Sequence, residues 1–423
     1  MRTRSRNRRA IAVIAGAVMS ALVFAGCSFG GSAAEPDLPP QADVAFPDGT
    51  VKELQAAVTQ AMGTSGSSGA IVGVWAPWSG SWIAGLGTQR PDGGGEVKAD
   101  QTFRAGKITR AMTCDALYGA ASAGKVKLDD SVTLYVSGIP DLASVTLLEL
   151  CDGTSGIGSY ADQLYGSWLS NPKRDWDPRY LASFGLGEPR TTKPGDAYKD
   201  SDAGYVLLGL ALQRATGLSA ADVLRTYVTG PLALTATSLS DLPASGALQG
   251  GQSMTNADGV LDCAAPVDLT GVSSSGGYTD SGVVTDIRDL GRYVQALASG
   301  SLVDDEKRFA QPLPVAADAP SWYTADGGAL IAGSLIGQFG KVPGYLTAAF
   351  ADPQTGLTVA VVLNNSAGDG TVAEYLAWQL AAIASKAPAA KGETAPEAGL
   401  PWTAEQFGEA IASLAVCTPP ATE

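Results

Sequence analysis

The pattern that most limits how this 423-residue chain can fold is a β-hairpin signal that occurs twice, once near the start and once near the end. Ala70-Ile71-Val72-Gly73-Val74-Trp75 and Ser81-Trp82-Ile83-Ala84-Gly85-Leu86 are short apolar runs around the turn residues Pro77-Trp78-Ser79-Gly80. Leu346 to Ala351 and Gly356 to Asn364 repeat the pattern around Asp352-Pro353-Gln354-Thr355, and Leu357 to Leu363 reads as a buried strand. Between the hairpins the period changes. Helical segments separated by Gly, Pro and Asp turns run from Lys125 to roughly Gly300, the clearest being Gly204 to Thr216, closed by Gly217 as a C-cap. Val51, Leu54, Val58 and Met62 add an amphipathic helix before the first hairpin, and Thr371 to Lys386 a helix after the second. Strands from both ends with a helical block inserted between them imply an α+β unit: an antiparallel sheet flanked by helices, an all-helical region, and a cleft at their junction. The Trp residues of the first hairpin are expected in the sheet core.

The chain contains no histidine, which removes Ser-His-Asp and Cys-His catalysis and histidine-based metal sites. No metal and no cofactor is expected. The net charge is −14, and it falls to −19 once the five Arg before residue 10 are removed, so nothing resembles the basic footprint that nucleic acid requires. Apart from Cys27, the cysteines are Cys114, Cys151, Cys263 and Cys417; their spacing fits no zinc pattern, and outside the cell they form two disulfides in any of three connectivities.

That compartment is implied by the first residues. Met1 to Arg9 is basic and Ala10 to Gly26 is small and apolar, the n- and h-regions of an export signal, and the apolar run is shorter than the roughly 20 residues a spanning helix needs. Val23-Phe24-Ala25-Gly26-Cys27 resembles the bacterial lipobox, which implies that Cys27 is lipidated and becomes the mature N-terminus. Residues 27–45 are rich in Ser, Gly, Ala and Pro and read as a flexible tether. The expected organisation is a signal at 1–26, the tether at 27–45, the folded domain at 46–386, a Pro/Ala-rich linker at 387–401 and an appendix at 402–423 carrying a short helix.

Ordered motifs give the domain a family resemblance. Phe103-Arg104-Ala105-Gly106, with Thr109 three residues on, resembles the F-R-x-G-S-x-T-K segment of the serine β-lactamase and D-alanyl-D-alanine carboxypeptidase family. Gly124 to Asp130 resembles its G-K-L-x-L-D-D, and Val145 to Ile157 its I-T-I-R-H-L-L-T-H-T-S-G-L. Pro194-Gly195 with Gly204 to Gly209, Gly230 to Leu234 with Thr237-Ser238, and Pro343-Gly344-Tyr345 with Asp352-Pro353 continue the series in order. The resemblance spans roughly Phe46 to Lys386 and implies the penicillin-recognising fold. It also places Cys114 and Cys151 on neighbouring elements, which implies that they pair and leaves Cys263 with Cys417 to strap the appendix onto the helical region.

The reactive side chains of the motifs are replaced. The family's serine nucleophile falls on Lys107 and its lysine, one helical turn later, on Arg110; an amine forms no acyl ester, and a guanidinium with a pKa above about 12 accepts no proton at neutral pH. Tyr-Ser-Asn falls on Asp200-Ser201-Asp202, and His-x-Gly on Gln338-Phe339-Gly340, which keeps only the glycine. Two cations and two acids that are each costly to desolvate alone form a neutral set together, so Lys107, Arg110, Asp200 and Asp202 are expected to pair and close the former active site. The competing expectation is four solvated charges in a widened cleft. Ser155, Ser201 and Thr109 are the hydroxyls near the motifs that remain as replacement nucleophiles. The leading functional expectation is a lipid-anchored, extracytoplasmic protein that has lost catalysis and binds a cell-wall peptide or an envelope protein. The alternatives are an active serine hydrolase with another nucleophile and a structural partner protein.

Overall fold

The computed structural model describes residue 34 and residues 38–417 except 244, 258, 304, 306, 397 and 398. The signal-like segment and Cys27 lie outside the described residues. Helices are α1 Asp48–Ser65, α2 Ile108–Ser122, α3 Leu147–Cys151, α4 Ala161–Ser170, α5 Pro178–Gly187, α6 Asp202–Thr216, α7 Ala220–Leu224, α8 Tyr278–Ser281, α9 Ile287–Ser299, α10 Thr371–Ser385 and α11 Ala404–Ser413. The main sheet is built from β1 Gly69–Ala76, β2 Gly80–Arg90, β3 Gly93–Glu96, β4 Leu313–Pro314, β5 Tyr323–Asp326, β6 Ala329–Ala332, β7 Leu335–Val342, β8 Tyr345–Ala351 and β9 Thr358–Leu363. Its order is β3-β2-β1-β9-β8-β7-β6-β5-β4 and its pairs are antiparallel.

The two hairpins of the sequence meet at the β1–β9 seam, where Ala70 faces Leu363 and Trp75 faces Thr358. Alternate side chains of these strands feed two cores, as the two-residue period of a strand requires. Val72, Val74, Val359 and Val361 join Leu54 and Val58 of α1 and Trp378 of α10 on one face. Ile71, Ala360 and Val362 join Met112 and Leu117 of α2 and Leu290 and Val294 of α9 on the other. The central strands are therefore covered on both sides, which is why β8 and β9 are buried at every position. Gly73 interrupts β1 for a packing reason: a Cβ there would fall 2.2 Å from the Trp75 ring, which also lies across Gly291 of α9.

The helix ends follow their signals. Gly217 adopts φ 73° and closes α6, and Thr146 with Glu149 forms a reciprocal capping box on α3. The strands from Leu313 to Val342 carry no comparable signal; Ala325, Gly327, Gly328 and Ala329 are weak strand formers, and they pair because a meander already begun by β8 and β7 offers them an edge.

The disulfides are Cys114–Cys151, which ties α2 to the end of α3, and Cys263–Cys417. The second does not strap the appendix onto the helical region. Trp402, Phe407 and Ile411 are buried with Trp378 in the core shared by α1 and α10, so apolar burial seats α11 on the sheet's helical cover. Cys263 comes to meet it, because its loop is held at the sheet end by Asn365, whose side chain bonds Ser253 and the Gly66 carbonyl. Residues 387–390 are likewise pinned: Trp78 and Ser79 donate to the carbonyls of Ala387 and Pro388, and Ala390 N–H to Trp78 O. At the other end Gln41, Ala42 and Val44 bond to the β1–β2 turn region and Ala34 N–H donates to Pro231 O, so residues of the expected tether are hydrogen-bonded to the fold.

Desolvation holds Glu374 and Asp152 toward their neutral forms. Burial pushes Glu374 of α10, which accepts from Tyr323 Oη, up to about 8, with Asp369 adding to the shift. Burial, then the nearby Asp326, pushes Asp152 up to about 7; both carboxylates accept from the same Gly327 N–H. Folded-state values above the unfolded ones mean that the contribution of these two groups to stability is fully present below about pH 4 and is lost as pH rises through 7 to 8. Thermal unfolding measured from pH 4.5 to 8.5 is expected to show a falling midpoint, and Glu374→Gln to flatten that decline; an unchanged slope in the variant contradicts the assignment.

Candidate functional site

The site is assembled around the start of α2. Phe103-Arg104 pairs with Val283–Thr285 as a short strand, and Gly106, at φ 62°, turns the chain into the helix. Lys107 then stands at the helix entry, with Arg110 one turn later. Gly340 of β7 lets this entry approach the sheet, because a Cβ on it would fall 2.8 Å from Lys107 Cβ. The glycine of the third motif is therefore required by packing, whatever chemistry the cleft performs.

Asp200 lies in the loop before α6 and binds both cations: Lys107 Nζ to Oδ2 at 2.6 Å and Arg110 Nη1 to Oδ1 at 2.8 Å. Arg110 is 1% exposed, its Nε donates to Asp280 Oδ1 at 2.7 Å, and its guanidinium stands 4.8 Å from the centre of the Tyr205 ring. Burial works against the charge of Arg110, and Asp200 and Asp280 outweigh it. Partial desolvation opposes ionisation of Asp200, yet Arg110 and Lys107 hold that carboxyl far below the usual carboxylate range. Its side chain is 49% exposed, so its share of the pairing energy is screened by water.

The expected four-charge cluster thus forms with a different fourth member. Asp202 does not pair with the cations. Ser201 caps α6 by accepting from Gly204 N–H, and this places Asp202 at the first helical position, where its carboxylate accepts the N–H groups of Tyr160 and Ala161 at 2.7 and 2.9 Å and so caps α4. Burial, and then the charge of Asp280, raise its pKa. Asp280 on α8 takes the place expected for Asp202. One sequence signal pointed to it: it is the single charged residue in the small-residue run from Ser273 to Val284.

Gln338 also departs from expectation. It is buried on β7, donates to Gly328 O and accepts from Phe339 N–H, and it is not among the residues that line the cleft. Nor does the cluster close the site. A cleft of about 490 Å³ remains beside it, between the sheet edge at Phe339–Pro343 and the helical region at α4 and α8. Lys107, Asp200, Asp202 and Asp280 line it together with Tyr165, Trp168, Lys341 and Asp369.

The replacement hydroxyls are buried and take part in local hydrogen bonds. Ser201 Oγ donates to Gly158 O, and Thr109 Oγ1 donates to Gly106 O while accepting from Val283 N–H. Ser155 is buried and accepts from Ile157 N–H. Lys107, the amine nearest to them in the motifs, is engaged with Asp200. No serine–base pair was found at the three motif positions.

The sequence profile of the family described as Beta-lactamase matches residues 54–382. Among characterised sequences, Penicillin-binding protein 4* of Bacillus subtilis (strain 168) is 23% identical over 141 residues, 33% of this chain; the match spans 31% of that protein's length, less than a third. Among solved structures, a D-stereospecific amidohydrolase from Streptomyces sp. superposes with a TM-score of 0.66 at 22% identity, covering 78% of this chain and 99% of the other. The octameric penicillin-binding protein homologue from Pyrococcus abyssi gives 0.66 at 21% identity, covering 79% and 77%. At these identities the structural matches speak for the fold.

Removing Asp280 leaves two cations, Arg110 and Lys107, sharing the single carboxylate of Asp200, an excess charge at a buried site. Asp280→Asn is expected to destabilise the protein by about 3–5 kcal/mol in chemical denaturation, and Arg110→Met with Asp280→Asn to recover part of that loss. A single variant within about 0.5 kcal/mol of the parent contradicts the role given to this pair.

Proposed function

The chain belongs to the beta-lactamase family, and on that footing we propose that it is a non-hydrolysing binding module of the bacterial cell envelope, held at the membrane by a lipid on Cys27. One observation carries the loss of catalysis. Where acyl transfer in this fold needs a hydroxyl and a free base, Lys107 and Arg110 are both bound to Asp200, and Arg110 is buried and bound to Asp280 as well. A cationic amine held at 2.6 Å by a carboxylate is neither a nucleophile nor a proton acceptor.

Binding is supported by the cleft that persists beside the cluster, about 490 Å³ with aromatic and charged walls, a size suited to a small molecule or a short peptide segment. The matched amidohydrolase is described as D-stereospecific and the other relatives as penicillin-binding, which makes a D-amino-acid-containing cell-wall peptide the ligand class of choice. The basic start, apolar run and Cys27 support export and anchoring; among the described residues no helix is long and apolar enough to cross a membrane.

The test is covalent labelling of the purified mature chain with a fluorescent penicillin and with a fluorophosphonate, read by intact mass. No adduct is expected at any serine. A stoichiometric adduct on one overturns this reading in favour of an active serine hydrolase. For the anchor, metabolic labelling with a fatty-acid analogue is expected to mark the wild type and to be lost in Cys27→Ala.

A further inference from the structure

We infer that the disulfide-held hairpin at residues 251–268 is a docking surface for a partner segment in which Lys or Arg side chains stand beside apolar ones. The inference concerns a face other than the cleft and does not depend on what the cleft binds. Seven large apolar side chains are exposed among the described residues, and Met254, Val260, Val267 and Val416 are four of them, at 41, 61, 50 and 38%. All four belong to one projection. Gly251-Gln252 pairs with Val267-Asp268 at its base, Asp262 N–H donates to Met254 O and Asn256 N–H to Val260 O further out, and Cys263–Cys417 ties the segment carrying Val416 to it. A single exposed valine needs no explanation, whereas a cluster rimmed by polar residues marks an interaction site.

The hairpin is held in this exposed position by bonds that make no use of its apolar side chains. Asn365 grips Ser253 through both the backbone N–H and the hydroxyl, and Leu269 N–H donates to Gly250 O where the chain returns. Asp262 Oδ1 accepts from Ala264 and Ala265 N–H and so shapes the turn around Cys263. Val416 N–H donates to Thr64 O, which fixes the other end of the disulfide against α1. The loop is therefore ordered before any partner arrives, and a partner that covers it gains apolar burial without the entropy cost of ordering it.

Charge complementarity selects the partner. From Thr226 to Ile287 the sequence holds six aspartates and neither Lys nor Arg. Two of those aspartates, Asp262 and Asp268, are exposed on the hairpin, and among the described residues neither is in an ion pair. Their carboxylates accept only N–H groups, those of Ala264, Ala265 and Thr270 and the Gln249 amide. Arg90, which feels the charge of Asp268, is bound to Asp92 at 2.8 Å. Such a surface is repelled by an anionic bilayer, and equally by a second copy of a chain whose net charge is −14. A segment with cations set among apolar side chains meets both features: its charges steer and orient it, and its apolar groups cover Met254, Val260 and Val267.

The experiment is fluorescence anisotropy of a labelled amphipathic Lys/Leu peptide titrated with the purified mature chain, beside a Glu/Leu peptide of the same pattern. The wild type is compared with the triple variant Met254→Ser, Val260→Ser, Val267→Ser and with the double variant Asp262→Asn, Asp268→Asn, thermal unfolding confirming that all three are folded. The wild type is expected to bind the Lys/Leu peptide and not the Glu/Leu one. The triple variant is expected to bind about tenfold more weakly, and the double variant to lose about as much and to depend less steeply on salt. No binding by the wild type, or equal binding of the Glu/Leu peptide, overturns the assignment. So does an affinity unchanged in either variant, which places the peptide elsewhere, the acidic cleft included. Self-association of the wild type in sedimentation that the triple variant abolishes gives the surface to a second copy and overturns it as well.

Discussion

A guanidinium taken out of water fixes the geometry of this protein's centre. Arg110, on the first turn of α2, is buried between Asp200 ahead of α6 and Asp280 on α8, and it faces the ring of Tyr205 within α6. Each contact crosses from one element to another, so a single side chain sets the relation of three helices. Burying an isolated charge of this kind is costly, and the cost is offset because Asp200 and Asp280 balance Arg110 and Lys107. Such a network adds little net stability over an apolar core of the same volume. Its effect is on specificity: any arrangement that separates the partners leaves a charge stranded.

The remaining acids of the cleft follow from the way helices converge on it. The first turns of α2, α4, α6 and α10 all border the cleft, and a helix start carries partial positive charge and unpaired N–H groups. Asp202 caps α4, Asp369 accepts the first N–H of α10, and Asp162 sits in the first turn of α4. An acidic cleft is tolerated because these carboxylates are bound to helix starts rather than to one another.

Fold and chemistry separate cleanly here. Gly340 is needed because Lys107 packs against it, and Gly106 because its φ is positive and Thr347 Oγ1 stands where a Cβ would go. These positions keep the outline of a hydrolase motif through packing alone. Lys107 and Arg110, which stand at the start of the same helix, are held by Asp200 in the loop ahead of α6 and by Asp280 on α8.

The sequence by itself determined the elements whose signals are local. The two hairpins, α1, the Gly217 end of α6 and the final helix α10 follow from apolar period, turn residues and caps, because those depend on neighbours within a few residues. Motif order determined the fold, and with it the disulfide pairing and the closeness of Lys107, Arg110 and Asp200. Only the tertiary structure decided the rest. Whether Asp202 or Asp280 completes the cluster depends on a cap: Ser201 starts α6 one residue early enough to turn Asp202 toward α4. The Gly- and Ala-rich strands from Leu313 to Val342 form because a neighbouring edge exists, and α11 settles on Trp378 because the deepest apolar surface within reach lies there. The cleft remains open for the same reason: its walls belong to the sheet and to the helical region separately, and pairing charges on one wall does not move the other.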